Sequence, residues 1–399
     1  MKILYLSGLV SLWLISIVSC SPVIKSAKGP ETSKMLEYCV LKTMVSMNSQ
    51  PSFDSIPRNI YPGQTKWNTV NIHDWTSGFW PGVLWYAYEA SGDTAILSHA
   101  KEFTKSLHGV LSVPVENHDL GFMLYCSYGN GYRLTKDSAN HRILLTAADS
   151  LATLYNPKVG TILSWPNMCV TKQWPHNTII DNLINLELLF WASKNGGNHK
   201  FYDMAVKHAE ICMHTLIRPD FTTFHVAVFD TIDGHFIKGV THQGYSDGSM
   251  WARGQAWGIY GYTLCYRETG KKEFLETAQK LADVFIKRLP KDGIPYWDFD
   301  DPKIPDAPKD ASAAAIAASG MLELAGFVKD ETASTKYKDA AKILLTKLST
   351  PEYLSNEKNQ AFLLHSTGHK PNGTEIDASI IYADYYYLEA LLRLKKMDK

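Results

Sequence analysis

Helical patterns in this chain arrive in pairs, and that pairing constrains the fold more than any other feature. Apolar residues recur at three- and four-residue spacing over Thr32 to Met47, then over Phe79 to Ala90 and Thr94 to Leu111, joined at Ser91-Gly92-Asp93. Leu120 to Tyr128 leads to Ser138 to Tyr155, Asn177 to Ser193 leads to Phe201 to Ile217, and Ser249 to Glu268 leads to Glu273 to Arg288. Asp310 to Phe327 leads to Ser334 to Leu348, and Asp377 to Lys396 closes a series of twelve. The members starting near Phe79, Leu120, Asn177, Ser249, Asp310 and Asp377 are rich in Gly, Ala and aromatics and poor in charge, whereas their partners carry Lys and Glu along one face. A helix apolar nearly all round is buried, and one with a charged face lies outside. Six inner and six outer helices in alternation predict an all-α chain folded as an (α/α)6 barrel of six helical hairpins. One internal echo supports stacked copies of a single unit: Trp75, Gly78, Gly82 and Tyr86 recur at the same spacing as Trp251, Gly254, Gly258 and Tyr262. Short ribbons at Thr223 to Asp230 and His235 to Val240 read as loop hairpins.

No Pro-, Gly- and Ser-rich linker divides the 399 residues, so residues 31–399 read as a single barrel domain after a polar spacer at 21–30. Lys and Arg together number 40, as do Asp and Glu, which leaves no electrostatic case for a nucleic-acid partner. Residues 1–20 resemble a bacterial lipoprotein signal. Lys2 precedes an uncharged apolar stretch from Ile3 to Val18, and Ser19-Cys20 matches a loosely written lipidation site. The expectation is an exported bacterial protein, periplasmic or membrane-anchored, that meets a membrane only through a lipid at Cys20; an ordinary cleaved signal that happens to contain a Cys is the alternative. The other cysteines are scattered without a CxxC pair, and no nucleotide loop, zinc spacing or cofactor lysine motif stands out, so no metal or cofactor is expected.

Parallel inner helices bring their N-terminal ends to one mouth. Trp75, His118, Asp119, Asp181, Trp251, Arg253, Asp310, Glu375 and Asp377 stand at or just before those ends, so the active-site cleft is expected there. A lone Asp at a helix start is commonly a cap. Two acids on neighbouring inner helices facing one pocket are also the usual equipment for acid and base work on a glycosidic bond. An aromatic content of 12%, with 11 Trp and 21 Tyr, suits flat rings laid on sugar faces, although large cores also use such rings.

Several ordered blocks then carry a family resemblance: His118-Asp119-Leu120-Gly121-Phe122, Ile180-Asp181-Asn182, Thr241 to Asp247 running into Trp251 to Gly258, and His365 to Pro371 with Glu375-Ile376-Asp377. Together they resemble the unsaturated glucuronyl hydrolases of glycoside hydrolase family 88, from about Trp75 to Arg393. The resemblance implies an (α/α)6 barrel that removes a 4,5-unsaturated glucuronyl residue from the non-reducing end of lyase-generated oligosaccharides, by hydrating the vinyl ether. It implies that Asp181 protonates C4 and then helps activate the water that attacks C5, with Asp119 holding sugar hydroxyls and tuning its neighbour. His118, His225, Gln243 and Arg253 match substrate-contact positions, and Trp257 and one of Trp75 or Trp80 match stacking rings, with Trp165 a further candidate. Ser366, His369 and Lys370 precede the last inner helix and would suit a sulfate or a second-sugar hydroxyl. Arg253 could instead be a structural ion-pair partner, His225 a surface residue, and Lys370 a solvated one. An unsaturated rhamnogalacturonyl hydrolase and a non-catalytic sugar-binding lipoprotein are the competing functions.

Overall fold

The computed structural model describes residues 27–398; the expected signal segment and Cys20 lie outside them. Twelve long helical segments form the barrel. The outer series is α1 (Thr32–Met47), α3 (Thr94–Ser106), α5 (Ser138–Ala152), α8 (Lys200–Thr215), α10 (Lys272–Arg288) and α12 (Glu331–Leu348). The inner series is α2 (Phe79–Ser91), a π-helix (Gly121–Gly129) running into α4 (Asn130–Thr135), α7 (Asn182–Lys194), α9 (Ala252–Thr269), α11 (Ala311–Phe327) and α13 (Ile381–Met397). A one-turn helix, α6 (Met168–Thr171), lies in the loop before α7. Each inner helix packs on the next in that order and α13 packs back on α2, which closes the ring. The (α/α)6 architecture is as the sequence predicts.

Local chemistry explains the alternation. The turn from inner to outer helix pairs a left-handed C-cap with an Asp N-cap: Gly92 ends α2 while Asp93 accepts the N–H groups of Ala95 and Ile96, and Lys136 ends α4 while Asp137 accepts that of Ala139. Inner helices are buried around nearly their whole circumference, as in α11, where Ala311 to Leu322 is buried without a break. One contiguous apolar core joins all of them.

Small sheets hold the loops at the mouth. β1 (Ile56–Ile60) pairs antiparallel with β2 (Asn68–Val70) and with β8 (Ser379–Ile380). β3 (Tyr155–Asn156) and β4 (Thr161–Ile162) form a ribbon. β5 (His176–Ile179), β6 (Val226–Phe229) and β7 (Phe236–Val240) form the third sheet, with Ile179 opposite Val226 and Val226 opposite Val240.

Three sequence readings are corrected. Residues 177–179 are strand, not the start of a helix, because they pair with β6 far along the chain. The helix expected over Leu120 to Tyr128 is π-helical from Gly121 to Gly129. Asp377 does not start the last helix; it has φ +54° and bonds His365 Nδ1 at 2.6 Å, half exposed.

Candidate active site

The third sheet brings the central residues together. Asp181 follows β5 and His225 precedes β6, and the N–H of Ile180 donates to the carbonyl of His225 at 3.0 Å, so the two side chains start from adjacent backbone. His118 is tied to the same region through its N–H, which donates to Ser164 O at 3.1 Å; Ser164 N in turn donates to Asn177 O at 2.8 Å. Asp119 comes next and leads into the π-helix, a distortion frequent at functional sites.

Asp181 occupies the N-cap position of α7, yet its side chain accepts no N–H from that helix. Its Oδ1 is buried without a hydrogen-bond partner. Asp310 shows what a cap looks like: its Oδ1 accepts the N–H and hydroxyl of Ser312 and its Oδ2 accepts Arg253 Nη1 at 2.9 Å. Burial pushes Asp181 up to about 7 even though the Arg253 charge pulls it down. Asp119, also buried and beside Asp181, is raised well above the ordinary carboxyl range. The two therefore form a coupled pair that gives up its protons in steps.

Each carboxyl faces an imidazole whose proton position is set from behind. His225 Nδ1 accepts the backbone N–H groups of His242 and Gln243 at 3.2 and 3.1 Å. A nitrogen accepting two donors carries no hydrogen, so the ring proton sits on Nε2, 3.9 Å from Asp181 Oδ1. His118 Nε2 lies 3.5 Å from Asp119 Oδ1. Burial keeps both rings neutral, with His118 pushed down to about 3 and His225 held well below its ordinary value. Both Nε2 atoms are buried and without partners. Buried polar groups are normally bonded, so these orphans next to two carboxyls mark a place that a polar ligand completes.

The other sequence-derived residues surround this centre. Trp165 presents its ring edge-on to His118, His225 and His242. Trp75, half-buried, packs on Phe79, Phe122 and Tyr382. Trp257 is fully buried on Phe122 and Tyr386, with its indole N–H unpartnered. Gln243 Nε2 donates to Gly368 O at 3.4 Å, and His369 Nε2 meets His242 O at 3.1 Å. Arg253 is largely consumed by structure: besides Asp310 it donates to the carbonyls of Thr367 and Gly368 and lies over the rings of Trp251 and Tyr382. It thus anchors the loop that carries Ser366, His369 and Lys370. Ser366 is fully buried, its hydroxyl unpartnered. Lys370 Nζ is held 2.9 Å from Asp301 Oδ2 and lies over the Trp297 ring.

Sequence reasoning missed His242, Arg58, Asp74 and Asn185. Arg58 bonds Asp74 and Glu375, bridging the loop before α2 to the loop before α13. Asn185 and Asn182 were detectable as polar residues one turn apart on a largely apolar helix. Among the described residues, the group Asp230, Asp233 and His235 could meet a cation, but it stands exposed at a hairpin tip outside this site.

Over residues 52–396 the chain matches the family described as Glycosyl Hydrolase Family 88. It is 39% identical to an unsaturated glucuronyl hydrolase of Formosa agariphila, over 99% of each chain. It is 37% identical to an unsaturated glucuronyl hydrolase of Bacillus sp. strain GL1, over 85% of this chain and 90% of the other. A solved unsaturated glucuronyl hydrolase specific for heparin superposes with a TM-score of 0.87 at 41% identity, over 92% of this chain and 97% of that one. With identity of that level along nearly its whole length, and with the paired acids standing in one mouth, the chain belongs to glycoside hydrolase family 88.

Proposed function

We propose that this protein removes the 4,5-unsaturated glucuronyl residue from lyase-generated glycosaminoglycan oligosaccharides, with Asp181 as the proton donor. One observation carries the assignment of the donor. Asp181 is a buried carboxyl at a helix start that neither caps nor ion-pairs and is raised to about 7, so near neutrality about half of it holds a proton for delivery.

The substrate's C4 to C5 double bond is conjugated with the ring oxygen. Protonation of C4 by Asp181 places positive charge on C5 and the ring oxygen, and leaves Asp181 as a carboxylate. That carboxylate accepts a proton from the water that adds at C5, which restores the acid. The resulting hemiketal opens, and the exposed C1 releases the neighbouring sugar. One water is consumed and the enzyme ends as it began. Asp119 stays next to Asp181 and takes sugar hydroxyls; the Nε2–H of His225 donates to a substrate oxygen while that of His118 points toward Asp119, and Trp75 and Trp165 offer ring surface. Gln243, Ser366, His369 and Lys370 line the approach, where Lys370, already neutralised by Asp301, favours hydroxyls over sulfate. Arg253 acts through its charge and its hold on that loop.

Unsaturated disaccharides from chondroitin, hyaluronan and heparin, unsulfated and sulfated, test both reaction and preference. The ultraviolet absorbance of the double bond should disappear on addition of the protein, fastest with unsulfated substrates. Unchanged absorbance across that panel would sink the activity.

Export as a lipoprotein is a separate proposal, supported by Lys2, the apolar stretch and Ser19-Cys20. Metabolic labelling with a fatty acid should mark the wild-type protein and not Cys20→Ala; equal labelling would refute it.

A further inference from the structure

Asn182 and Asn185 are both fully buried in α7, and the hydration chemistry uses neither. Asn182 spends its Nδ2 on Ile162 O and Ser164 Oγ, and its side chain also lies against His118, where it favours the charged ring. Asn185 is placed differently. Its Oδ1 accepts the backbone N–H of Phe122 at 2.7 Å, and since a backbone N–H can only donate, this contact fixes which way the amide points. Its Nδ2 then faces His118 Nδ1 at 3.3 Å. The same amide lies against the Asp119 carboxyl and favours its ionised form. The approach is close by construction: a Cβ on Gly121 would fall 2.5 Å from Asn185 Oδ1 and 2.6 Å from its Cα.

A donor facing Nδ1 obliges that nitrogen to accept, so the single proton of the neutral imidazole sits on Nε2, the atom 3.5 Å from Asp119 Oδ1. Asn185 thereby does for His118 what the two backbone N–H groups do for His225. We propose that Asn185 is a positioning residue for the acid pair, fixing His118 as an Nε2–H donor toward Asp119 and orienting the Asp119 carboxyl through its amide. The inference rests on the hydrolase reading, in which Asp119 and Asp181 are the working acids.

Asn185→Asp keeps the size and the acceptor for Phe122 N–H but removes the donor. Its kcat on an unsaturated chondroitin disaccharide should fall about 10- to 100-fold, with KM within about threefold, as expected when reacting groups are misplaced. The alkaline limb of kcat/KM should move up by about one pH unit, because the acid pair loses a donor that favours ionisation and gains a like charge. Nitrogen-15 spectra, with His118 assigned by difference from His118→Gln, should show the wild-type proton on Nε2. In Asn185→Asp it should move to Nδ1 or be joined by a second proton there. A wild-type proton on Nδ1, or an Asn185→Asp enzyme with an unmoved pH limb, would overturn the proposal. If Asn185 were only packing, the uncharged Asn185→Leu would lower the melting temperature and leave that limb in place. The wild-type spectrum decides the tautomer even if Asn185→Asp does not fold. A wild type inert on every disaccharide would instead defeat the hydrolase reading and leave the spectrum to judge His118.

Discussion

Asp181 and Asp310 occupy equivalent places, each immediately before an inner helix, and their surroundings give them opposite duties. Asp310 is saturated by Ser312, Arg253 and its own helix; Asp181 is left with an orphaned oxygen. A carboxyl of ordinary pKa would be protonated in roughly one molecule in a thousand at pH 7, whereas burial lifts Asp181 to about 7. On the proposed mechanism the protonated form does the work, so kcat/KM should decline as pH rises past about 7, approaching tenfold per unit; a limb rising through that range would contradict the assignment. Asp181→Asn keeps shape but cannot deliver a proton to carbon. Turnover should fall at least about 10³-fold, while calorimetric affinity for a disaccharide stays within a few-fold. Surviving activity would remove Asp181 from the mechanism. Sequence spacing placed both acids at the mouth, but Asp181 read equally well as a cap, because what decides between cap and acid is the set of N–H groups within reach.

At the scale of elements, the helical hairpins were legible because their information is local: a 3.6-residue apolar period, Gly or Asp at the turns, charge on one partner only. What escaped depends on contacts distant in sequence. Residues 177–179 continue the apolar pattern of α7 and become strand only because β6 offers a partner some fifty positions later. The π-helix escaped because nine residues are too few to separate its period from that of an α-helix. Close helix packing at the mouth is concentrated at glycines and gives a sharp contrast. A Cβ on Gly78, at the start of α2, would stand 2.1 Å from Phe122 O and 2.2 Å from Met123 O, backbone atoms that cannot swing aside. Gly78→Ala should destabilise by about 3 kcal/mol. Gly326 is exposed near the end of α11, and a Cβ there would meet nothing within 4 Å, so Gly326→Ala should gain up to about 1 kcal/mol. Thermal or urea unfolding of the two variants reads both signs; equal effects would mean that the inner helices are more loosely packed than this geometry requires.

For the whole molecule, the two ends of the barrel hold titratable groups in different ways, and together they set how stability follows pH. At the far end a cavity of about 420 Å³ is lined by Glu187, Arg267, Glu389 and Arg393, whose charges largely satisfy one another. Even so, burial raises Glu187 to about 7, and it raises Asp384, in the first turn of α13, to about 8. With Asp181 and Asp119 these acids keep, when folded, protons that the unfolded chain has released above about pH 4, so they subtract stability as pH rises toward 7 to 8. Six imidazoles pull the other way. His118, His176, His208, His225, His242 and His369 are all held below their ordinary value by burial. The unfolded chain binds protons at these positions below about 6.5 and the folded chain does not, so they add stability as pH rises and stop contributing above that point. His365, raised by Asp377, keeps its proton in the folded chain past its ordinary value and subtracts stability as pH rises beyond about 6.5. Below about pH 6.5 the six imidazoles outweigh the four acids, so stability rises toward that point, and above it the acids and His365 act without them. The melting temperature should therefore be highest between about pH 5.5 and 6.5 and several degrees lower at pH 8, with each fully shifted group worth about 1.4 kcal/mol per unit. Calorimetry from pH 4 to 9 measures this, and a melting temperature still climbing at pH 8 would refute it. Glu187→Gln retains an oxygen for Arg267 and removes one of the acids, so it should flatten the decline between pH 6 and 7 while largely leaving that from 7 to 8, to which Asp384 contributes.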